Sequence, residues 1–117
     1  MKSYLIFTIL LCTFLIGCTT QKLFYWGNYS ETLYAFKKSP DEKTTEAHKK
    51  SLLDIMDKSE KKHKQIPPGV YAEYGYMLMQ AGQENEGLQY LDKEQTLYPE
   101  SSIFIQRLKE ELKRGKK

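Results

Sequence analysis

Pro67-Pro68-Gly69-Val70-Tyr71-Ala72-Glu73-Tyr74-Gly75-Tyr76-Met77-Leu78, continued by Ala81-Gly82, Gly87-Leu88, Tyr90-Leu91 and Leu97-Tyr98-Pro99, is the stretch whose reading decides the fold. Ile66-Pro67-Pro68-Gly69 is the sharpest break in the chain, because two prolines remove backbone donors and hold an extended turn. After it, Tyr71, Tyr74, Leu78 and Ala81 fall on one face at helical spacing, and Gly82 is the residue best able to take a left-handed carboxy-terminal cap. A further helix is predicted from about Asn85 to Leu97, with Leu88, Leu91 and Gln95 on its inner side and Pro99 as its stop. Ser101 or Ser102 then caps a last helix carrying Phe104, Leu108 and Leu112.

Upstream the signals are helical too. Asn28 followed by Glu31 predicts a capped start, with Tyr29, Leu33 and Phe36 on one face. Ser39-Pro40-Asp41 ends that helix and caps the next, since the residue before a proline leaves the helical region and an aspartate accepts backbone N–H bonds. The second helix is expected over about Glu42 to Gln65. Its apolar face is thin (Ala47, Leu52, Ile55, Met56), and the charged turns from Lys58 to Lys64 are expected to project into solvent. No stretch shows sustained strand alternation, so the expected architecture is all-α: antiparallel helical hairpins, about five helices.

Counting back from Pro99 places the third and fourth helices in the frame of a tetratricopeptide repeat, a helical hairpin of about 34 residues that ends near a proline. Tyr71 stands for the tryptophan, Tyr74-Gly75 for Leu-Gly, Leu78 for the tyrosine, Gly87 for the small residue and Leu91 for the later phenylalanine. Gly75 and Gly87 should let the paired helices approach closely. Glu94 departs from the pattern, standing where the repeat has alanine. A carboxylate there is expected to reach solvent, a lysine or a tyrosine hydroxyl, because an unpaired buried charge is prohibitive.

At the other end of the chain, Met1-Lys2-Ser3 is a short positive start and Tyr4 to Ile16 an apolar run too short to span a bilayer, the pattern of a secretory signal. The run closes on Leu15-Ile16-Gly17-Cys18, which resembles the bacterial lipobox. That resemblance implies cleavage between Gly17 and Cys18 and a lipid (diacylglyceryl, then palmitate-type acyl chains) on Cys18. It divides the chain into a signal peptide (1–17), a lipidated tether (18–22) and one helical domain (23–117). Thr19 is not the aspartate associated with inner-membrane retention, so the implied location is the outer membrane, facing the periplasm. Cys12 and Cys18 are the two cysteines, and neither lies in the helical part, so no disulfide framework is expected there.

With those residues in view, the chain resembles the domain-of-unknown-function 4810 family of small bacterial lipoproteins. The resemblance rests on Tyr25-Trp26-Gly27-Asn28-Tyr29, Leu33-Tyr34, Pro67-Pro68-Gly69, Glu73-Tyr74-Gly75-Tyr76, Gly82, and Glu94 with Leu97-Tyr98-Pro99-Glu100-Ser101. The family has no established activity. Its members tend to be encoded beside a curli-secretion-like lipoprotein, which implies an envelope assembly with such a partner.

The residues themselves carry little chemistry. Net charge is +3, from 18 basic and 15 acidic residues, and no nucleic-acid readout motif accompanies the Lys61-Lys62-His63-Lys64 cluster. His48 and His63 lack a ligand pattern for zinc, and no catalytic motif or cofactor signature is present, so neither enzyme activity nor a cofactor is expected. Glu73 and Glu94 could in principle serve as an acid–base pair, which gives the alternative of an envelope hydrolase or cell-wall-binding factor. Trp26, Tyr71, Tyr76 and Tyr90 are the candidate partner-binding residues, since tyrosine and tryptophan are favoured anchors at interfaces. For each, packing of a small core is the competing role. The expected function is that of an outer-membrane-anchored interaction or assembly module.

Overall fold

A computed structural model of the chain describes residues 22–115 together with Met1. The leader, Gly17, Cys18 and the tether as far as residue 21 lie outside the described residues, as do residues 116–117. Five α-helices follow one another: α1 (Tyr29–Lys38), α2 (Glu42–Lys61), α3 (Val70–Gln80), α4 (Glu84–Leu97) and α5 (Ser102–Arg114), the last preceded by a 3-10 turn at Pro99–Ser101. Each helix packs on its chain neighbour, as hairpins require. No strand forms among the described residues, and the isolated bridge between Phe24 and Gln65 is the extent of strand-like pairing.

The central helix is α3, which is buried on almost every side. Toward the amino-terminal half, Val70, Tyr74, Met77 and Leu78 meet Leu52 and Ile55 of α2, with Tyr29 and Phe36 of α1 packed against them. Toward the carboxy-terminal half, Ala72 and Met79 meet Leu91 of α4 and Ile105 of α5, with Leu88, Leu108 and Leu112 alongside. Fully burying a leucine or isoleucine contributes about 1.5–3 kcal/mol, so these few contacts hold most of a domain this small together.

The α3–α4 crossing is as close as the two glycines suggested. A Cβ placed on Gly75 would lie 2.7 Å from the carbonyl oxygen of Gly87, and one on Gly87 would lie 2.6 Å from the carbonyl oxygen of Gly75. Both distances are below van der Waals contact, so backbone packs directly on backbone.

Helix ends show where the sequence reading held and where it failed. Asp41 caps α2: its Oδ1 accepts from the Thr44 N–H at 2.8 Å, while the Asp41 N–H donates to Thr44 Oγ1 at 3.1 Å. Asn28 precedes α1 as expected but does not cap it; its Oδ1 accepts the Ser51 hydroxyl at 2.9 Å instead. Helix α3 closes with a Schellman motif, Gln83 N–H to Leu78 C=O and Gly82 N–H to Met79 C=O, with Gly82 left-handed at φ +85°. The same motif ends α2 at Lys61 rather than near Gln65: Lys64 N–H donates to Ser59 C=O and His63 N–H to Glu60 C=O. Here His63 takes the left-handed position, at φ +51°, which is costly for a residue with a Cβ.

Three expected inner positions lie outside. Ala47 and Ala81 are exposed, and Phe104 points to solvent while Ile105 enters the core. On α2 the buried stripe is His48, Ser51, Leu52, Ile55 and Ser59, so polar residues occupy positions that an apolar count passes over. Ser59 is wholly buried, so the charged end of α2 does not simply project into solvent. On α5, Ile105, Leu108 and Leu112 satisfy helical spacing as well as Phe104, Leu108 and Leu112 do, and the 3-10 turn before the helix sets its rotation.

Candidate interaction surface and the polar core beneath it

The four candidate aromatics do not form one surface. Tyr71 and Tyr90 come together at the α3–α4 hairpin, with ring centroids 6.0 Å apart, and Tyr90 meets the buried Tyr74 edge-on at 4.7 Å. Lys93 lies over this cluster, 4.5 Å from the Tyr90 ring and 5.8 Å from that of Tyr71. Burial first pushes both hydroxyls above the usual tyrosine range, followed for Tyr71 by Tyr90 and then Glu60 and Glu94, and for Tyr90 by Glu86. Both rings are half-buried and are largely part of the packing. Tyr76 stands apart on the next turn, its hydroxyl accepting from Gln80 Nε2 at 2.8 Å. Trp26 is far from these in the chain's path: it leads into α1, touches Phe24 and Tyr29, and is 41% exposed.

Other large apolar side chains are exposed as well, Phe104 among them although helical spacing placed it inside. Ile103 and Phe104, adjacent on the outer face of α5, are 67% and 60% exposed. Tyr34 on α1 and Leu53 on α2 are also exposed. Leu53 lines a shallow groove with Ala47, Lys50 and Tyr74, and a second groove on the far flank of α2 shares Ala47 and Lys50 and adds Tyr25, Asn28 and Asp54. The signal for Ile103 and Phe104 was available: three consecutive apolar residues in a helix cannot all face inward.

Under this surface lies a polar cluster that ties α1, α2 and α3 together. His48 is wholly buried, with its Nε2 3.0 Å from Glu73 Oε1 and its Nδ1 2.9 Å from Thr32 Oγ1. A carboxylate only accepts, so Nε2 donates to Glu73; Thr32 Oγ1 also lies 3.1 Å from the Tyr29 carbonyl oxygen, so its single hydrogen serves either that carbonyl or Nδ1. The other oxygen of Glu73 accepts the Tyr29 hydroxyl at 2.8 Å. Burial, then the hydrogen bond and charge of Glu73, push the Tyr29 phenol up to about 12. Phe36 stacks on the imidazole at 5.7 Å, nearly parallel to it.

Glu94 is engaged differently. Only 2% exposed, it accepts the Gly69 N–H through Oε1 at 2.7 Å and the Ala72 N–H through Oε2 at 3.3 Å. Its partners are therefore the unsatisfied amides at the start of α3, not solvent, a lysine or a tyrosine hydroxyl as the sequence led one to expect. Gly69 has no side chain to cap α3, and a carboxylate from α4 supplies the acceptor and meets the positive end of the helix. Glu73 and Glu94 each have both oxygens committed to such partners, and no hydrogen bond joins the two. Among the described residues no group of three or more His, Cys, Asp or Glu is placed to hold a metal ion, and no helix is long and apolar enough to cross a membrane.

Fold and surface define a small all-helical hairpin domain with a polar seam in one half of its core and aromatic side chains at its edges. The chain belongs to the family described as a domain of unknown function (DUF4810), whose model matches residues 23–108. No curated protein and no solved structure matches it.

Proposed function

We propose that the protein is a lipid-anchored module of a bacterial envelope complex, held at the outer membrane through Cys18 and binding a partner protein through side chains that its own core leaves outside. The observation that carries the reading is the exposed pair Ile103 and Phe104, beside a core cluster already filled by Ile105, Leu91 and Met79. Adjacent large apolar side chains on a folded surface are typical interface anchors. Trp26 is the strongest of the four aromatic candidates because it is the exposed one. The curli-secretion-like lipoprotein implied by the family resemblance is the first partner to test.

The hydrolase alternative needs a carboxylate free to meet a substrate, and the commitments of Glu73 and Glu94 weigh against it. The test is a pulldown from native membranes with Trp26→Ala and with Ile103→Ser/Phe104→Ser. Loss of a co-purifying envelope protein, with melting and lipid labelling unchanged, is the expected result. Cys18→Ala should leave an unlabelled, uncleaved precursor. Retention of every partner by these variants, with function lost only in Glu73→Ala or Glu94→Ala, would overturn the reading.

A further inference from the structure

The Schellman turn that ends α2 brings two distant pieces of sequence together. Lys64 Nζ donates to the Lys22 carbonyl at 2.7 Å, and Phe24 pairs with Gln65 through the backbone, so the chain enters the domain against the Lys61–Lys64 turn. The charges here are unequally matched. Lys58 and Lys61 are paired with Asp54 and Asp57, at 3.0 and 2.7 Å. The ammonium groups of Lys22, Lys62 and Lys64 have no carboxylate partner among the described residues; Lys62 lies instead over the Tyr25 ring, at 4.6 Å. Leu23, between Lys22 and the Phe24–Gln65 bridge, is 67% exposed. Glu60, exposed near the end of α2, acts on the Tyr71 hydroxyl of α3, and Glu100 stands at the neighbouring α4–α5 turn, which the Tyr98 hydroxyl ties to the Ile66 carbonyl at 2.6 Å.

We infer that the end of the domain formed by Lys22, Leu23, Lys62 and Lys64 docks on the anionic phospholipid headgroups of the membrane, and so fixes the orientation of the domain. This rests on the proposed anchoring at Cys18. Lys22 is four residues beyond Cys18, and consecutive Cα atoms are about 3.8 Å apart, so Lys22 stays within about 15 Å of the anchored residue. An anchor that close keeps Lys22, and with it the Lys64 side chain that it holds, within about two Debye lengths of about 8–10 Å each, so these basic side chains can reach a charged surface. Leu23 is the apolar side chain placed to enter the interface beside them. The turn between α1 and α2 lies at the other end of α2 and mixes Lys37 and Lys38 with Asp41 and Glu42, so it has no comparable excess of one sign.

The test uses the mature lipoprotein purified from membranes and reconstituted into vesicles of phosphatidylcholine alone or with about one third phosphatidylglycerol. A fluorophore is placed on Gln65→Cys, at the docking end, or on Lys38→Cys, at the other, and the vesicles carry headgroup-quencher lipid. Quenching at position 65 at least threefold stronger than at position 38, seen only with phosphatidylglycerol and abolished by Lys22→Glu/Lys62→Glu, is expected. Equal quenching at both positions, or a difference indifferent to lipid charge and to the double variant, would overturn the inference. Intact mass of the same sample reports acylation separately. If the acyl mass is absent, the anchoring reading fails, and flotation of that protein with phosphatidylglycerol vesicles at low salt decides the docking inference: flotation lost in the double variant supports it, and no flotation overturns it.

Discussion

The two faces of α3 are stabilised by different means. Toward α1 and α2 the core is mixed: Thr32, His48, Ser51 and Ser59 are buried among Leu52, Ile55 and aromatic rings, and the helices are linked by side-chain hydrogen bonds. Toward α4 and α5 the buried side chains are aliphatic apart from the Glu94 carboxylate and the Tyr74–Tyr90 edge, and two glycines let the backbones touch. A polar seam needs correct partners but accommodates small shifts; a backbone contact tolerates no added atom. Most substitutions on the first side should therefore cost a hydrogen bond, and those on the second should cost packing, with Glu94 the exception.

The largest effect should come from the glycine contact. Gly75→Leu places a side chain where even a Cβ meets the Gly87 carbonyl, and overpacking of this kind costs about 1–3 kcal/mol, or more where backbone must move. A denaturation midpoint unchanged from wild type would show that the crossing is loose and that the contrast between the two sides is wrong. Next is Glu94→Ala, which leaves the Gly69 and Ala72 amides without their acceptor and should cost about 2–3 kcal/mol. Glu94→Gln keeps one acceptor oxygen and should recover part of that, measured by urea denaturation of the three proteins side by side.

On the polar side, Tyr29→Phe removes the bond to Glu73 and should cost about 1–2 kcal/mol at neutral pH. The pH dependence has a definite sign. Tyr29 titrates near 12 in the folded chain against an ordinary value of 10.0, so its contribution is complete below about pH 10 and is lost as pH rises through about 12. The deficit of the Phe variant should shrink over that interval, and a deficit constant with pH would detach Tyr29 from the Glu73 carboxylate. The smallest effect expected is a gain: His63→Gly relieves the left-handed backbone at φ +51° and should raise stability by up to about 1 kcal/mol, seen as a small rise in Tm.

The two Schellman motifs show what was legible in the sequence. Gly82 announces the end of α3 because glycine is the residue that fits a left-handed cap. The end of α2 was placed too late because His63 holds the same position with no such signature. The α4 frame was readable from its glycines and leucines, whereas the inner face of α2 was not, since His48, Ser51 and Ser59 break the apolar period and their partners lie on other helices. The role of Glu94 was within reach: a helix starting at Gly69 lacks a side-chain acceptor, and a carboxylate in a small-residue position of the facing helix can supply one. Trp26 and the tyrosines were legible as aromatic but not as inside or outside, because spacing alone does not set a helix's rotation.

The strap from Lys22 to Asn28 also has a mechanical meaning. Its links run in order along α2 against that helix's direction: Lys22 to Lys64, Tyr25 to Asp54, Asn28 to Ser51. A pull on the amino-terminal tether along the line of these links, away past Lys64, would load them together, in shear, instead of peeling them one after another. Such a lap joint would shield the first helix from tension and pass the force to α2, the longest of the described helices.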